Sequence, residues 1–232
     1  MKKIFLLVAV TMSMYMIAIA QERRAGPEKK GFLILSAGPS FPLGNFSSTT
    51  FDINSNTPPK NGFAKTGFNL DLQGGYHFVK NFGVTGSVFY NLYSYDEQRL
   101  KDQLGIPAEA NMRVDHWKYY GIVAGPMLTA TITPKTSIDF NVMTGVISAN
   151  SPKAIVSDDG TGDIVNEDWS TAVPIRVGSG MRFQFGENGY FGIGMNYFFA
   201  EPRFKTLFLG ETYEAHQQLS ALTVNAGIGF RF

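Results

Sequence analysis

Residues 222–232 read L-T-V-N-A-G-I-G-F-R-F, and this stretch decides the fold. Leu222, Val224, Ala226, Ile228, Phe230 and Phe232 take every second position, and Thr223, Asn225, Gly227, Gly229 and Arg231 fill the gaps. A period of two belongs to a β-strand with one apolar and one polar face. Standing last and ending on an aromatic, the segment reads as the strand that closes a β-barrel.

The opposite end of the chain says where such a barrel goes. Met1-Lys2-Lys3 is a basic n-region, residues 4–20 are almost wholly apolar, and Ala18-Ile19-Ala20 before Gln21 is a small-x-small cleavage site. Together they predict a secretory signal peptide over residues 1–20. The run is also near the length of a membrane anchor, but the cleavage site favours removal. Without a cysteine after the apolar run, a lipid-anchored protein is disfavoured. Residues 21–30 then form a periplasmic N-terminal tail, and residues 31–232 the barrel domain.

Removing residues 1–20 takes away Lys2 and Lys3 and no acid, so 20 basic and 19 acidic residues become 18 and 19. A nearly neutral chain has no overall field for steering nucleic acid. The absence of cysteine means that no disulfide stabilises this exported protein. No later apolar run is long enough for a membrane helix, so a bilayer span has to be a closed barrel, the β-structure that leaves no backbone group unpaired in hydrocarbon.

Eight segments have strand character: 31–41, 64–76, 82–93, 116–132, 137–149, 171–185, 190–200 and 217–232. Phe68, Leu70 and Leu72 alternate with Asn69, Asp71 and Gln73; Ile138, Phe140 and Val142 alternate with Asp139 and Asn141. Val173, Ile175, Val177, Met181 and Phe183 interleave with Arg176, Gly178, Gly180 and Arg182. Connections after the second, fourth and sixth segments are short (77–81, 133–136, 186–189). Those after the first, third, fifth and seventh are long and polar (42–63, 94–115, 150–170, 201–216). Alternating short turns and long loops are the pattern of a transmembrane barrel, and an even strand number puts both termini in the periplasm.

Alternation alone leaves the choice of outer face open, because a soluble lipocalin-like barrel inverts it. Charge on a lipid face costs about 2–4 kcal/mol for Arg at the midplane, so the membrane reading turns Asp71, Asp139, Arg176 and Arg182 inward. Aromatics favour it: Tyr76, Phe78, Phe82, Phe185, Tyr190 and Phe232 gather at the short-turn end. Tyr90, Tyr93, Trp117, Tyr119, Tyr197 and Phe199 gather toward the long loops. Two such belts are what membrane interfaces select.

With these residues in view, the chain resembles a known family. Gly38-Pro39-Ser40-Phe41-Pro42-Leu43-Gly44-Asn45-Phe46, the strand-turn-strand of residues 67–90, Tyr119-Tyr120-Gly121 through Gly125-Pro126, and the ending 225–232 are similar to the outer-membrane protein β-barrel domain. That family, often labelled the porin family, occurs in gram-negative bacteria and relates to small OmpA- and OmpX-like barrels. The resemblance implies an all-β, eight-stranded antiparallel up-and-down transmembrane β-barrel in the outer membrane, in contact with its lipid and lipopolysaccharide. It also implies that Ile228, Phe230 and Phe232 form the signal read by the barrel-insertion machinery.

Eight strands leave a lumen that side chains fill, whereas aqueous channels need wider barrels. The expected polar core comprises Asn69, Asp71, Gln73, Asp139, Asn141, Arg176, Arg182, Gln184 and Asn225. Buried charges need partners. Asp139 stands about three residues from the turn at Pro134-Lys135 and Arg182 about four from the turn at Gly186, so the two should face each other low in the lumen.

Chemistry is sparse, and no cofactor or metal is implied. His116 beside Asp115 is the one His–acid pair at a rim, but adjacent strand residues point to opposite faces; His77 in a turn and His216 read as surface residues. Asp158-Asp159-Gly160-Thr161-Gly162-Asp163 with Glu167 and Asp168 is a cluster of the type that holds Ca²⁺, without EF-hand spacing, and reads more simply as a solvated turn. Residues 96–104 suggest a short helical turn, with Glu97 four before Lys101. Pro39, Pro126 and Pro174 fall within strands, where bulges or strand ends best accommodate them and local bulging is expected. The function expected is a small non-enzymatic barrel with a structural or loop-mediated binding role. The alternatives are a narrow channel for small solutes or ions and, third, a membrane hydrolase or acyltransferase.

Overall fold

The computed structural model describes residues 30–49, 61–105, 107, 111–157, 163–165, 168–208 and 211–232. The export signal, most of the N-terminal tail, and the acidic run 158–162 with Glu167 lie outside the described residues. Eight strands close a single antiparallel ring. They are β1 (Gly31–Pro42), β2 (Ala64–Val79), β3 (Phe82–Tyr95), β5 (Trp117–Thr133), β6 (Thr136–Ser151), β10 (Ile175–Phe185), β11 (Gly189–Ala200) and β14 (Leu219–Arg231). Each pairs with its neighbour in sequence order, β10 returns to β6, and β14 closes on β1. The closing seam runs from Phe32 opposite Arg231 to Pro42 opposite Ala221, so no sheet edge is left open along it.

The period-two pattern becomes an inside and an outside. Phe68, Leu70, Val88, Ile122, Phe140, Val142, Ile175, Val177, Ile193 and Val224 are exposed around the wall, while Asn69, Asp71, Ser87, Asn141, Arg176 and Asn225 are buried within it. Val88 is 54% exposed and Asp71 2%. An apolar belt on every strand far exceeds the patch that a water-soluble monomer exposes, and it gives the wall the surface of a transmembrane barrel.

Three tight turns join β2 to β3, β5 to β6 and β10 to β11, at residues 80–81, 134–135 and 186–188. Gly186 takes φ +63, a backbone region open to glycine. Lys30 and Phe232 lie at this same end: the Phe232 carbonyl accepts from Gly31 N at 2.9 Å, and the Lys30 carbonyl from His77 N at 2.8 Å.

The long connections differ from simple polar loops. The second carries the helix α1 (Glu97–Leu104) and the strand β4 (Asn111–Val114). In the third, β7 (Ala154–Ser157) pairs with β4 and with β8 (Asp163–Val165) to make a small three-stranded sheet. In the fourth, β12 (Arg203–Phe208) and β13 (Glu211–His216) form a hairpin. β9 (Asp168–Ala172) pairs with the loop end of β6, in line with the β10 ladder. For α1 the expectation holds: Asp96 accepts from Arg99 N, and Gly105 ends the helix in the left-handed region.

Pro174 stands at a strand end, one of the two expected accommodations, but none of the three prolines produces the expected bulge. Pro39 and Pro126 sit in ladders whose register is the same on both sides, and Pro174 separates β9 from β10 while both keep one register on β6. A missing N–H drops hydrogen bonds locally without inserting a residue; at the Pro174 break Thr144 donates to the Pro174 carbonyl at 2.8 Å. Register shifts fall elsewhere, at 64/67, 77/79 and 131/133 among the ring strands. The shift after His77 corrects another reading, for His77 belongs to β2 and is buried.

Candidate functional site

The lumen is built in three layers. At the turn end, Arg182 of β10 forks onto Asp139 of β6, with Nη2 2.6 Å from Oδ1 and Nε 2.6 Å from Oδ2. Gly180, not Arg182, is directly opposite Asp139 in the ladder, so the pair is diagonal, within the reach of a long side chain. The Thr129 hydroxyl donates to the same carboxylate at 2.6 Å, and its oxygen lies 2.9 Å from His77 Nε2. The Arg182 guanidinium stacks 4.4 Å from the Phe32 ring centre, and Phe32 meets Tyr190 edge-on.

The middle layer is mainly polar, although Met143, directly opposite Arg176 in the ladder, is also buried there. Arg176 donates to Asp71 across the lumen and to Ser87 Oγ at 2.8 Å; Ser87 donates to the other Asp71 oxygen at 2.5 Å. Beside it, Asn225 donates to Asn69 (2.5 Å) and Asn69 to Asn91 (3.0 Å). Gly178 makes room for this packing, because a Cβ there would lie 2.3 Å from Asn196 Oδ1 and 2.7 Å from Asn141 Oδ1. Gln73 is half-buried and donates to Thr85 at 3.0 Å. Gln184, half-buried, lines the turn-end mouth of the lumen, and its amide donates to the turn carbonyl of Glu187 at 3.2 Å. A cavity of about 50 Å³ lies between the charged layers, with Asp71, Asp139, Asn141 and Asn225 on its walls.

The loop-end layer is aromatic. Tyr119 stacks on Phe198 at 4.9 Å and 16° and on Tyr93 at 5.6 Å and 22°; Phe89 meets Phe198 edge-on. A hydroxyl chain runs from Ser40 to Tyr93 (2.6 Å) to Tyr119 (2.7 Å). Phe46, on the short turn of Gly44–Phe46, drops in edge-on against Tyr93 and Trp117, and Phe204 of β12 covers Trp117. Trp117 Nε1 donates to the Gly62 carbonyl at 2.7 Å. Tyr119 and Tyr93 are fully buried. The lumen is therefore stopped by stacked rings directly above the Arg176–Asp71 pair, whose guanidinium lies 5.3 Å from the Phe89 centre.

This plug revises the aromatic belts. Tyr93, Trp117, Tyr119 and, at the turn end, Tyr190 point inward. Tyr76, Phe78, Phe82, Phe185 and Phe232 remain exposed at the turn end, and Tyr90, Tyr120, Trp169 and Tyr197 toward the loop end. His116 is exposed at the rim and Asp115 half-buried; the Asp115 backbone N–H donates to the Lys153 carbonyl. Among the described residues no group of three His, Cys, Asp or Glu is placed to hold a metal ion.

Above the plug, the outer ribbons have their own small core. Met112 and Val114 of β4 pack with Tyr95 and Leu100. The Glu97 carboxylate accepts from Val114 N at 2.9 Å, tying α1 to the ribbon. Lys205 N donates to Asp168 at 2.6 Å and Arg203 N to Ser170 Oγ at 3.1 Å, fixing the fourth-loop hairpin to β9.

No protein-family model and no curated protein sequence matches the chain. Solved structures do. The chain is similar to a major outer membrane protein from Thermus thermophilus, with a TM-score of 0.53, 8% identity, and 87% of this chain and 99% of that chain covered. Neisserial surface protein A (TM-score 0.47, 13% identity, 87% and 97% covered) and the outer membrane protease OmpT of Escherichia coli (0.48, 8%, 91% and 99%) are also similar. Identities this low make the likeness one of fold: the chain is a small outer-membrane-type β-barrel.

Proposed function

We propose that this barrel resides in the outer membrane with both termini in the periplasm, conducts no solute, catalyses no reaction, and binds a partner through its outer ribbons. The observation that carries this reading is the ring stack of Tyr93, Tyr119 and Phe198 across the lumen. A path past it would have to unstack buried aromatics and then break the Arg176–Asp71 pair below, both costly steps. With the interior committed to packing, the surface left for recognition is the set of ribbons, which are folded, mutually pinned and carry both signs of charge. Projecting recognition loops from a rigid scaffold is the usual division of labour in binding proteins.

Ile228, Phe230 and Phe232 face outward on the closing strand, where the insertion machinery would read them before the barrel closes. Residues 1–20 serve as the removable export signal that delivers the chain there. Planar-bilayer recording of the refolded barrel tests the main reading. Electrical silence is expected; discrete ohmic steps, reduced by Arg176→Gln or Asp139→Asn, would replace it with the channel.

A further inference from the structure

The turn-end mouth holds a cavity of about 90 Å³ whose wall carries five permanent cations and no acid: Lys30, Lys80, Lys135, Arg182 and Arg231. Thr129, Thr131, Thr133 and Thr136 also line it. Among the described residues the nearby acids are Asp139, which pairs with Arg182, and Glu187 on the third turn, and neither lines the recess. Five cations therefore line one recess that no described acid lines.

We propose that this mouth is a binding site for a phosphate dianion, such as a phosphomonoester group. The excess of cationic over anionic side chains in the described wall favours a multiply charged oxyanion of this kind. A recess walled by protein focuses the field of such charges. The lining supplies the donors that such an oxyanion takes: the ammonium groups of Lys30, Lys80 and Lys135, threonine hydroxyls, and the Arg182 guanidinium that also engages Asp139 and the Phe32 ring. Depth supports the same chemistry, since the exposed rings of Tyr76, Phe78, Phe82, Phe185 and Phe232 mark the interface beside the mouth. The ligand comes either from a lipid headgroup in the adjoining leaflet or from soluble phosphate beyond it. The site is at the opposite end from the ribbons and stands whether or not these bind a partner.

The experiment uses the full mature chain refolded in a maltoside detergent at 0.15 M ionic strength, where loosely placed surface charges are screened. Inorganic phosphate and pyrophosphate are titrated by calorimetry, against Lys30→Gln/Lys80→Gln/Lys135→Gln as comparison. In parallel, nanodiscs of phosphatidylcholine with and without phosphatidic acid are extracted, and the lipid retained on the barrel is identified by native mass spectrometry. Saturable binding that weakens about tenfold or more in the triple variant supports a soluble source. Selective retention of phosphatidic acid, lost in the variant, supports a lipid source. Absence of both, or equal binding by a variant that still shows heat-modifiable gel mobility, overturns the proposal.

Discussion

Arg176 of β10 and Asp71 of β2 meet across the full width of the lumen, from strands that stand opposite each other in the eight-membered ring. Both are almost completely buried, at 3% and 2% exposure. Ser87 closes the triangle by bonding to each. The pair thus joins two walls that share no ladder, and its geometry depends on ring closure.

Removing one partner leaves a bare charge in the interior. Asp71→Ala is expected to cost about 3–5 kcal/mol, and Asp71→Leu with Arg176→Met to recover most of that loss, since two apolar side chains replace two ions. Urea unfolding of the barrel in lipid vesicles measures both. Equal losses in the single and double variants would mean that the pair does not tie the walls together.

The lower pair has a different dependence. Arg182 donates to Asp139 through Nη2, sets Nε 2.6 Å from the other carboxylate oxygen and holds its guanidinium carbon 4.4 Å from the Phe32 ring centre, geometry that an ammonium does not reproduce. Arg182→Lys keeps the charge yet should lose on the order of 1–2 kcal/mol. The same unfolding assay reads it, and a loss indistinguishable from zero would show that charge alone suffices.

Much of this was legible as parity. Asn69, Asp71, Asp139, Asn141, Arg176 and Arg182 alternate with apolar neighbours, so their inward side followed from the period of two, and the turn spacing put Asp139 near Arg182. The Arg176–Asp71 pairing was hidden, because strands four apart in the ring are related by closure, which no local pattern records. The aromatic plug was hidden for another reason. Near the loop end both faces are apolar, and rings there look like an interfacial belt. The signal was present in β3, where Phe89 and Tyr93 share the parity of Ser87 and Asn91; in β5, where Gly and Pro blur the alternation, it was absent. The ribbons escaped notice because β4 pairs with β7 across a long sequence separation.

Tyr119 supports the plug through packing and through its hydroxyl, and the two contributions separate. Tyr119→Phe removes the end of the Ser40–Tyr93–Tyr119 chain and should cost about 0.5–1.5 kcal/mol. Tyr119→Ala also removes the stacks on Phe198 and Tyr93 and should cost about 3–5 kcal/mol. Near-equal losses, measured by unfolding in vesicles, would assign the tyrosine's importance to its hydroxyl and remove the argument for a packed seal.

Orientation has a direct readout. Arg113, Lys153, Arg203 and Lys205 lie on the ribbons, and Lys80 and Lys135 on the tight turns. Trypsin added to intact cells should cut at ribbon sites and spare the turns, and should reach the turns when added from the periplasmic side. Fragment masses that show turn cleavage on intact cells would reverse the proposed orientation.

The apolar wall makes a depth-dependent demand. Val142 is exposed at the middle of β6, whereas Phe185 is exposed at the turn end of β10. If hydrocarbon surrounds the wall, Val142→Arg should cost about 2–4 kcal/mol and Phe185→Arg about 0–1 kcal/mol, because an arginine near the interface reaches headgroups and water. In a detergent micelle, which deforms to hydrate a charge, the gap between the two should narrow. Unfolding both variants in vesicles and in detergent supplies the comparison. A Val142→Arg barrel as stable as the parent in vesicles would mean that this surface meets water, and with it the transmembrane reading of the wall would fall.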